Sequence, residues 1–426
     1  MVKVRVVAET QFTGAFYDLV KDNPNYQALN ETDKSLLIGG FAANICYTER
    51  DMEDIMAKPY KEQDKIVDAV VKGIERARSI MNTRHLSPIE HKEYVLYITG
   101  IPKLLAMIIN NEKQYTTSEK SARYTKMQPA PSERKVYEEW LGTFKDEILD
   151  RKPDMAEAAA EKLGQENARY GISVATPTKM IYKVNLRQVQ YLIGALEAEL
   201  DNPNPLYALM RPHMVELVSE LRSQCGDIPE LQDNDKGVPL SLIKDDNFAP
   251  NSFGKTYNVV YNGTPAQVAQ AHRHRTLDYD ISLLPENTPK TQLVYVPKII
   301  RDKPGLVEKW TSDLGELIDS GCFPQGMMVQ VSESGSFMDF VRKTKERNCK
   351  YAQLEIYDQT IATGRAYQQG LQEEVNSSKT TKVKEYYNGL LTDLNSRMQG
   401  ARCTQPDYTC KNPCGDKGAV TFDRII

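Results

Sequence analysis

Gln270-Ala271-His272-Arg273-His274-Arg275 places an arginine on each side of a histidine, three residues after a glutamine. The segment holds two of the five histidines in the chain. Arg-His-Arg alone is short enough to arise by chance. Its weight comes from a distant partner, Ser118-Glu119-Lys120-Ser121-Ala122-Arg123-Tyr124. Both stretches follow the same local order of strand-like run, proline and short apolar helix. Pro102 opens the first helix and Pro265 the second, where a missing N–H costs nothing.

The chain has 426 residues, enough for two or three domains with ample core. It is 40% hydrophobic and 26% charged, the composition of an ordinary globular protein. A formal net charge of −4 argues against a general nucleic-acid binder. Seven cysteines in this length do not make a disulfide scaffold. Met1 to Val7 alternates like a strand rather than a leader, and apolar runs such as Leu104 to Ile109 are far shorter than a membrane span. A cytoplasmic protein without membrane or nucleic-acid partners is expected.

The periodicities predict an opening strand over Val2–Ala8 and an amphipathic helix through Ile66, Val67, Val70, Val71 and Ile74. A strand follows at Glu93–Thr99, then a helix after Pro102. Further helices are expected at Pro131–Lys152 and Met155–Asn167, a strand at Thr178–Asn185, and helices at Leu186–Leu200 and Leu206–Ser223. Residues 224–246 show no sustained period and read as a linker. The order then recurs: a strand at Phe253–Tyr261, a Pro265-started helix, a helix at Leu306–Ser320, a strand at Met327–Val331 and one long helix from Phe337 to Val375. The tail from Ala401 carries Cys403, Cys410 and Cys414, read as free thiols in a mobile segment, with a zinc site as the minority reading. Recurrence of order predicts an α+β fold of two tandem α/β repeats, residues 1–223 and 247–400, forming a pseudo-dimer within the chain. Two α/β domains with a generic shared order are the competing reading.

Leu86 to Met127 resembles the flavin-dependent thymidylate synthase family. Ser87-Pro88-Ile89-Glu90-His91 matches its Ser/Thr-Pro-x-Glu-His segment. Glu119, Ser121, Arg123 and Tyr124 match the end of its signature, while Asn111-Glu112-Lys113 stands where that signature has Arg-His-Arg. Ile108 occupies the slot of its substrate-binding Gln. Asn167-Ala168-Arg169 resembles its arginine segment, Val184-Asn185-Leu186-Arg187 its flavin-contacting Val-Asn-x-Arg, and Leu196 replaces a phosphate-binding arginine. The second half is complementary. Gln270, Arg273, His274 and Arg275 match Gln-x-x-Arg-His-Arg, but Leu283 replaces the Ser and no Arg-Tyr follows. Arg347 and Ala352-Gln353-Leu354-Glu355-Ile356 resemble the segment that closes the family's site. Each half keeps what the other lacks, which suggests one composite active site between the repeats.

The resemblance implies transfer of a one-carbon unit from 5,10-methylenetetrahydrofolate to C5 of dUMP, with FAD as hydride carrier and NADPH as reductant. It also implies sites shared between subunits of a tetramer, so a fused chain would form a homodimer of four repeats. It assigns Arg123, Arg169 and Arg347 to the nucleotide phosphate, for which fork-like guanidinium donors suit a dianion. Glu119 and Ser121 would hold other polar edges, and Gln270 the pyrimidine imide. Arg273 would lie near pyrimidine and flavin, and His274, Arg275, His91, Asn185 and Arg187 in the FAD pocket. Catalysis would rest on Arg273, Gln270 and Ser121. Each has a plainer reading: surface ion pairs for the arginines, helix caps for Ser121 and Glu119, a basic helix end for Arg273–Arg275, and a buried structural histidine for His91. A dUMP or dCMP hydroxymethylase and an inactive flavin- or nucleotide-binding scaffold remain open, as does a viral setting for so specialised an architecture.

Overall fold

The computed structural model describes the chain apart from residues 15–16, 18–20, 22–23, 47, 50–62, 124, 233–239, 245–246, 350, 406–408 and 411–426. The chain divides into two compact units. The first comprises Met1–Lys120 and Pro177–Leu240, the second Ser121–Thr176 and Ser241–Ile426. This division crosses the contiguous halves expected from sequence, because residues 121–176 pack with the second unit.

The first unit is built on strands β1 (Lys3–Glu9), β2 (Glu93–Pro102), β3 (Thr116–Glu119) and β4 (Pro177–Asn185) in the order β1-β2-β4-β3, all antiparallel. Burial alternates along β2 and β4, the period of a sheet covered on one face. Helices α1 (Glu31–Cys46) and α2 (Gln63–Asn82) pack together. Helix α3 (Lys103–Asn111) follows Pro102 directly, and its residues from Leu104 onward are buried. The strand does not stop at Thr99. Gly100 adopts φ +69° at a bulge where an added Cβ would lie 2.2 Å from the Met1 carbonyl oxygen, so glycine lets β2 run on to Pro102. Helices α6 (Leu186–Ala198) and α7 (Pro205–Cys225) complete this unit.

The second unit carries the intervening helices α4 (Pro131–Arg151) and α5 (Glu157–Ala168). Its sheet contains β5 (Ser252–Phe253), β6 (Thr256–Gly263), β7 (Asp278–Leu283) and β8 (Val329–Ser336) in the order β5-β6-β8-β7. That is the order of the first sheet with each strand replaced by its successor four places on. Helices α8 (Pro265–Ala271), α9 (Pro304–Asp319), α10 (Phe337–Arg347), α11 (Leu354–Ser377) and α12 (Thr381–Met398) surround it. Trp140 and Phe144 of α4 meet Trp310 of α9 edge-on, with ring centroids 4.8 and 5.3 Å apart, in a core shared with Ile299, Ile300 and Leu314.

Four expectations are corrected. The long helix over Phe337–Val375 is two helices, one ending at Arg347, which turns inward, and the next beginning at Leu354; the Asn348 carbonyl accepts from Arg402 N. The strand expected at Met327–Val331 begins at Val329 and extends to Ser336. Its polar end was hidden because Ser332 and Glu333 are buried in a polar interior. Residues 224–246 are not simply a linker. Gln224 and Cys225 end α7, Pro229–Gln232 is helical, and Leu242 and Ile243 are buried along β7 through Ile281 N to the Leu242 carbonyl and Lys244 N to the Ile281 carbonyl. The start of the tail is packed, with Ala401 and Gln405 buried, while Cys414 lies outside the described residues. Strands β3 and β7 and helix α12 were not anticipated.

Candidate active site

The second unit gathers most of the residues singled out by sequence. Thr264 caps α8, its hydroxyl accepting from Gln267 N, and Pro265 takes the first helical position. The helix lasts only to Ala271, so Arg273–Arg275 lie in the turns beyond it. The turns sort the side chains: Gln270, His272 and His274 are buried, while Arg273 and Arg275 are exposed. The Gln270 side-chain oxygen has no hydrogen-bond partner among the described residues.

Arg347, at the end of α10, reaches the same place. Its Nε donates to His274 Nε2 at 2.8 Å, and an Nη donates to the Gln270 carbonyl at 3.1 Å. With Nε2 accepting, the neutral imidazole keeps its proton on Nδ1. Burial first, then the positive charges of Arg347, Lys343 and Arg273, push His274 down to about 2. His274 is therefore a neutral acceptor that aims a guanidinium. Arg347 is itself lowered, chiefly by burial and further by Arg273 and Arg123. Arg273 and Arg123 thus both bring positive charge toward buried Arg347, against the pull of Glu346, an arrangement that a bound anion would relieve further.

Arg123 enters this cluster from the segment preceding α4. It donates to the Tyr351 carbonyl at 2.9 Å and pairs with Glu166 of α5 at 3.0 Å. Ser121 Oγ accepts from Arg123 N at 3.3 Å, a local turn bond. Arg169, just past α5, is only 4% exposed, and its Nε and one Nη have no hydrogen-bond partner among the described residues. Its guanidinium lies 5.7 Å from the centre of the Tyr170 ring. A buried cation with orphaned donors is costly unless something else supplies the acceptors.

A network that sequence reading missed lies beside Arg169. Glu355 Oε2 accepts from the Tyr170 and Thr264 hydroxyls, each at 2.9 Å, and Tyr170 accepts from Gln353. Burial pushes the Glu355 carboxyl up to about 7, against the pull of Thr264, Tyr170 and Arg169. Glu355 and Gln353 stood in a noted motif, but nothing local marks a buried acid. A second buried pair, Lys343 Nζ to Glu333 Oε2 at 2.5 Å, is fully enclosed, with Tyr257 and Tyr261 donating to the same carboxylate.

The remaining candidates lie in the first unit. Glu119 on β3 makes two 2.7 Å bonds to Lys103 Nζ. Asn185 caps α6, its side chain accepting from Gln188 N at 2.8 Å. Arg187 pairs with Glu90 at 2.6 Å, both half-exposed. His91 is exposed, which removes its reading as a buried structural histidine. In the Asn111-Glu112-Lys113 segment, Glu112 is buried and accepts from the Tyr191 hydroxyl at 3.0 Å, an acidic group where a phosphate site needs cations. In the second sheet, Ser336 stands opposite the first residue of β6 and caps α10, just as Asn185 stands opposite the first residue of β2 and caps α6. The cap survives there without the arginine, since Met338 takes the place two residues on. Among the described residues no helix is long and apolar enough to cross a membrane, and no His/Cys/Asp/Glu group is arranged for a metal.

Residues 29–199 match the model of Thy1, the thymidylate synthase complementing protein family. That stretch of the chain is similar to this family, also called ThyX. Thymidylate synthase X from Helicobacter pylori, solved with FAD and dUMP, is 16% identical over 55% of this chain and 96% of its own, with a TM-score of 0.28. A UMP/dUMP methylase PolB from Streptomyces cacaoi, bound with 5-Br dUMP, is 14% identical over 52% of this chain and 95% of its own, with a TM-score of 0.29. No curated protein matches the sequence. The matched span holds Arg123, Arg169, Asn185 and Arg187 but not Gln270–Arg275 or Arg347.

Proposed function

We propose that the protein is a flavin-dependent pyrimidine-nucleotide methylase, moving a one-carbon unit from 5,10-methylenetetrahydrofolate to C5 of dUMP with FAD and NADPH in the cytoplasm. The observation that carries this reading is the convergence of Arg123 and Arg273 on Arg347 within one compact unit, which also holds the orphaned donors of Arg169 and the orphaned oxygen of Gln270. These groups come from both halves of the sequence. Together they suit a nucleotide monophosphate: guanidiniums for the dianion and a side-chain amide for the imide edge, which needs a donor and an acceptor at once.

Each residue has a task in this reading. Arg123, Arg169 and Arg347 hold the phosphate, Arg347 aimed by His274. Ser121 and Gln270 fix the nucleotide, and Arg273 offers a preorganised positive charge to the pyrimidine ring as its electron density changes. Arg273 and Arg275, two exposed cations around a buried neutral His274, form a donor set that fits the diphosphate of FAD. Bound flavin would supply the hydride that completes the methyl group. His91, Asn185, Arg187 and Glu119 remain candidates on their own unit, Asn185 and Glu119 with structural bonds already made. Tandem duplication is supported by the matching strand orders and by the equivalent caps Asn185 and Ser336. Two chains would then supply four repeats as a homodimer.

The test is the mass of the product formed from dUMP, and separately from dCMP, with methylenetetrahydrofolate, FAD and NADPH. Gain of a methylene unit on dUMP supports the methylase. Gain of CH2O identifies a hydroxymethylase. Protein that binds neither FAD nor nucleotide and forms no product overturns the enzyme reading. Arg123→Ala and Arg273→Ala are each expected to abolish turnover, and normal activity in either defeats the shared-site assignment.

A further inference from the structure

Glu355 ties together three pieces of chain that carry candidate nucleotide contacts. Its Oε2 accepts from Tyr170, the residue next to Arg169, and from Thr264, the cap of the helix that leads to Gln270 and Arg273. Tyr170 in turn accepts from Gln353, on the segment that follows Arg347. Both bonds use one carboxylate oxygen. The other, Oε1, is buried and has no hydrogen-bond partner among the described residues. When the acid is neutral its proton belongs on Oε1, because Oε2 already accepts twice.

The charged group that faces Glu355 is Arg169, buried and with two nitrogens lacking partners. The other titratable groups around it are Tyr170, Tyr261 and Tyr295, all held neutral by burial. Asp358, one turn further along α11, is paired with Lys298 at 3.0 Å. A charge on Glu355 therefore acts on Arg169 with little else to screen it, and attraction is stronger in a water-poor interior.

We propose that Glu355 is a positioning residue for the nucleotide site: as a neutral acid it leaves the Arg169 guanidinium available to an anionic nucleotide, and as a carboxylate it competes for that guanidinium. The inference rests on the nucleotide-methylase reading. Burial holds the carboxyl near 7, so both forms are populated close to neutrality. Nucleotide binding then favours the protonated form, and binding takes up a proton at higher pH. The nucleotide's own phosphate does not confuse the readout above neutrality, because its second ionisation lies at about 6.

The experiment is calorimetric titration of full-length protein with dUMP from about pH 7 to about pH 8.5, on wild type, Glu355→Gln and Tyr170→Phe. Glutamine keeps the shape and can still accept from Thr264 and Tyr170. Wild-type Kd is expected to rise on the order of tenfold across this range, while Glu355→Gln stays flat and binds more tightly than wild type at the upper end. Tyr170→Phe removes a bond that favours the carboxylate, so its midpoint moves to higher pH. A merely structural role would not move that midpoint. If dUMP binds and Glu355→Gln keeps the wild-type slope, the role of Glu355 is overturned and the nucleotide site stands. If wild type binds no dUMP at any pH, the site reading falls and this inference with it.

Discussion

Arg347 shows why single residues here have to be judged by their neighbours. Alone it is one of many surface-type arginines; in the structure it is buried and held by the His274 ring and the Gln270 carbonyl. Losing a hydrogen bond to a charged group costs about 1.5–3 kcal/mol, so His274→Ala is expected to weaken dUMP binding roughly 10- to 100-fold by equilibrium titration. His274 and Glu355 also leave opposite marks on stability. Glu355 is raised to about 7, so its contribution is complete below the ordinary carboxyl range and is lost as pH rises through neutrality. His274 is depressed to about 2, so its contribution is complete above the ordinary imidazole range and is lost as pH falls. Between about pH 4.5 and 6.5 the two slopes oppose, each at most about 1.4 kcal/mol per pH unit. In urea titrations at about pH 5 and 6.5, Glu355→Gln is expected to make stability rise more with pH than in wild type, and His274→Asn to make it rise less.

At the scale of elements, the polar interior between β8 and α10 is the unusual feature. Lys343 and Glu333 are both fully enclosed, and Tyr257 and Tyr261 hold the carboxylate as well. Removing one partner strands the other, so Lys343→Met is expected to cost about 3–5 kcal/mol in chemical unfolding, with much of that recovered in the Lys343→Met, Glu333→Gln double variant. Asn185 offers a smaller test. As the cap of α6 its loss to alanine costs about 1 kcal/mol of stability. A fall in FAD affinity larger than that stability change explains would add a flavin contact to its role as a cap. Element boundaries were largely legible. Pro102, Pro265, Pro131 and Pro205 mark four helix starts, and the alternation in Pro177–Asn185 marks a strand. The break between α10 and α11 was not legible, since residues 346–353 contain no glycine or proline. It is the inward turn of Arg347 and the bond from Arg402 N to the Asn348 carbonyl that accompany the break. Strand β7 alternates Tyr279, Ile281 and Leu283 with polar residues, a readable signal overshadowed by the basic motif before it.

For the whole molecule, the two sheets share one strand order, yet the compact units do not follow the two halves of the sequence. Residues 121–176 join the second unit through a core in which Trp140, Phe144 and Trp310 interlock. Trp310→Ala is expected to cost about 3–5 kcal/mol by denaturant unfolding, because a buried indole leaves a void its neighbours cannot fill. Light scattering is expected to give twice the 48.3 kDa chain mass if two chains supply four repeats. What the sequence by itself determined was the recurrence of order, the family likeness around Ser87–His91 and Glu119–Arg123, and the complementary motif at Gln270–Arg275. These are local signals, written in proline placement, period and residue type. Only the tertiary structure decided that Arg123 and Arg347 share one cluster, that His274 is a neutral acceptor rather than a cation, and that Glu355 is an acid near neutrality. Those properties come from burial and from charges far apart in the chain, and no spacing in the sequence records which side chains a core will bring together.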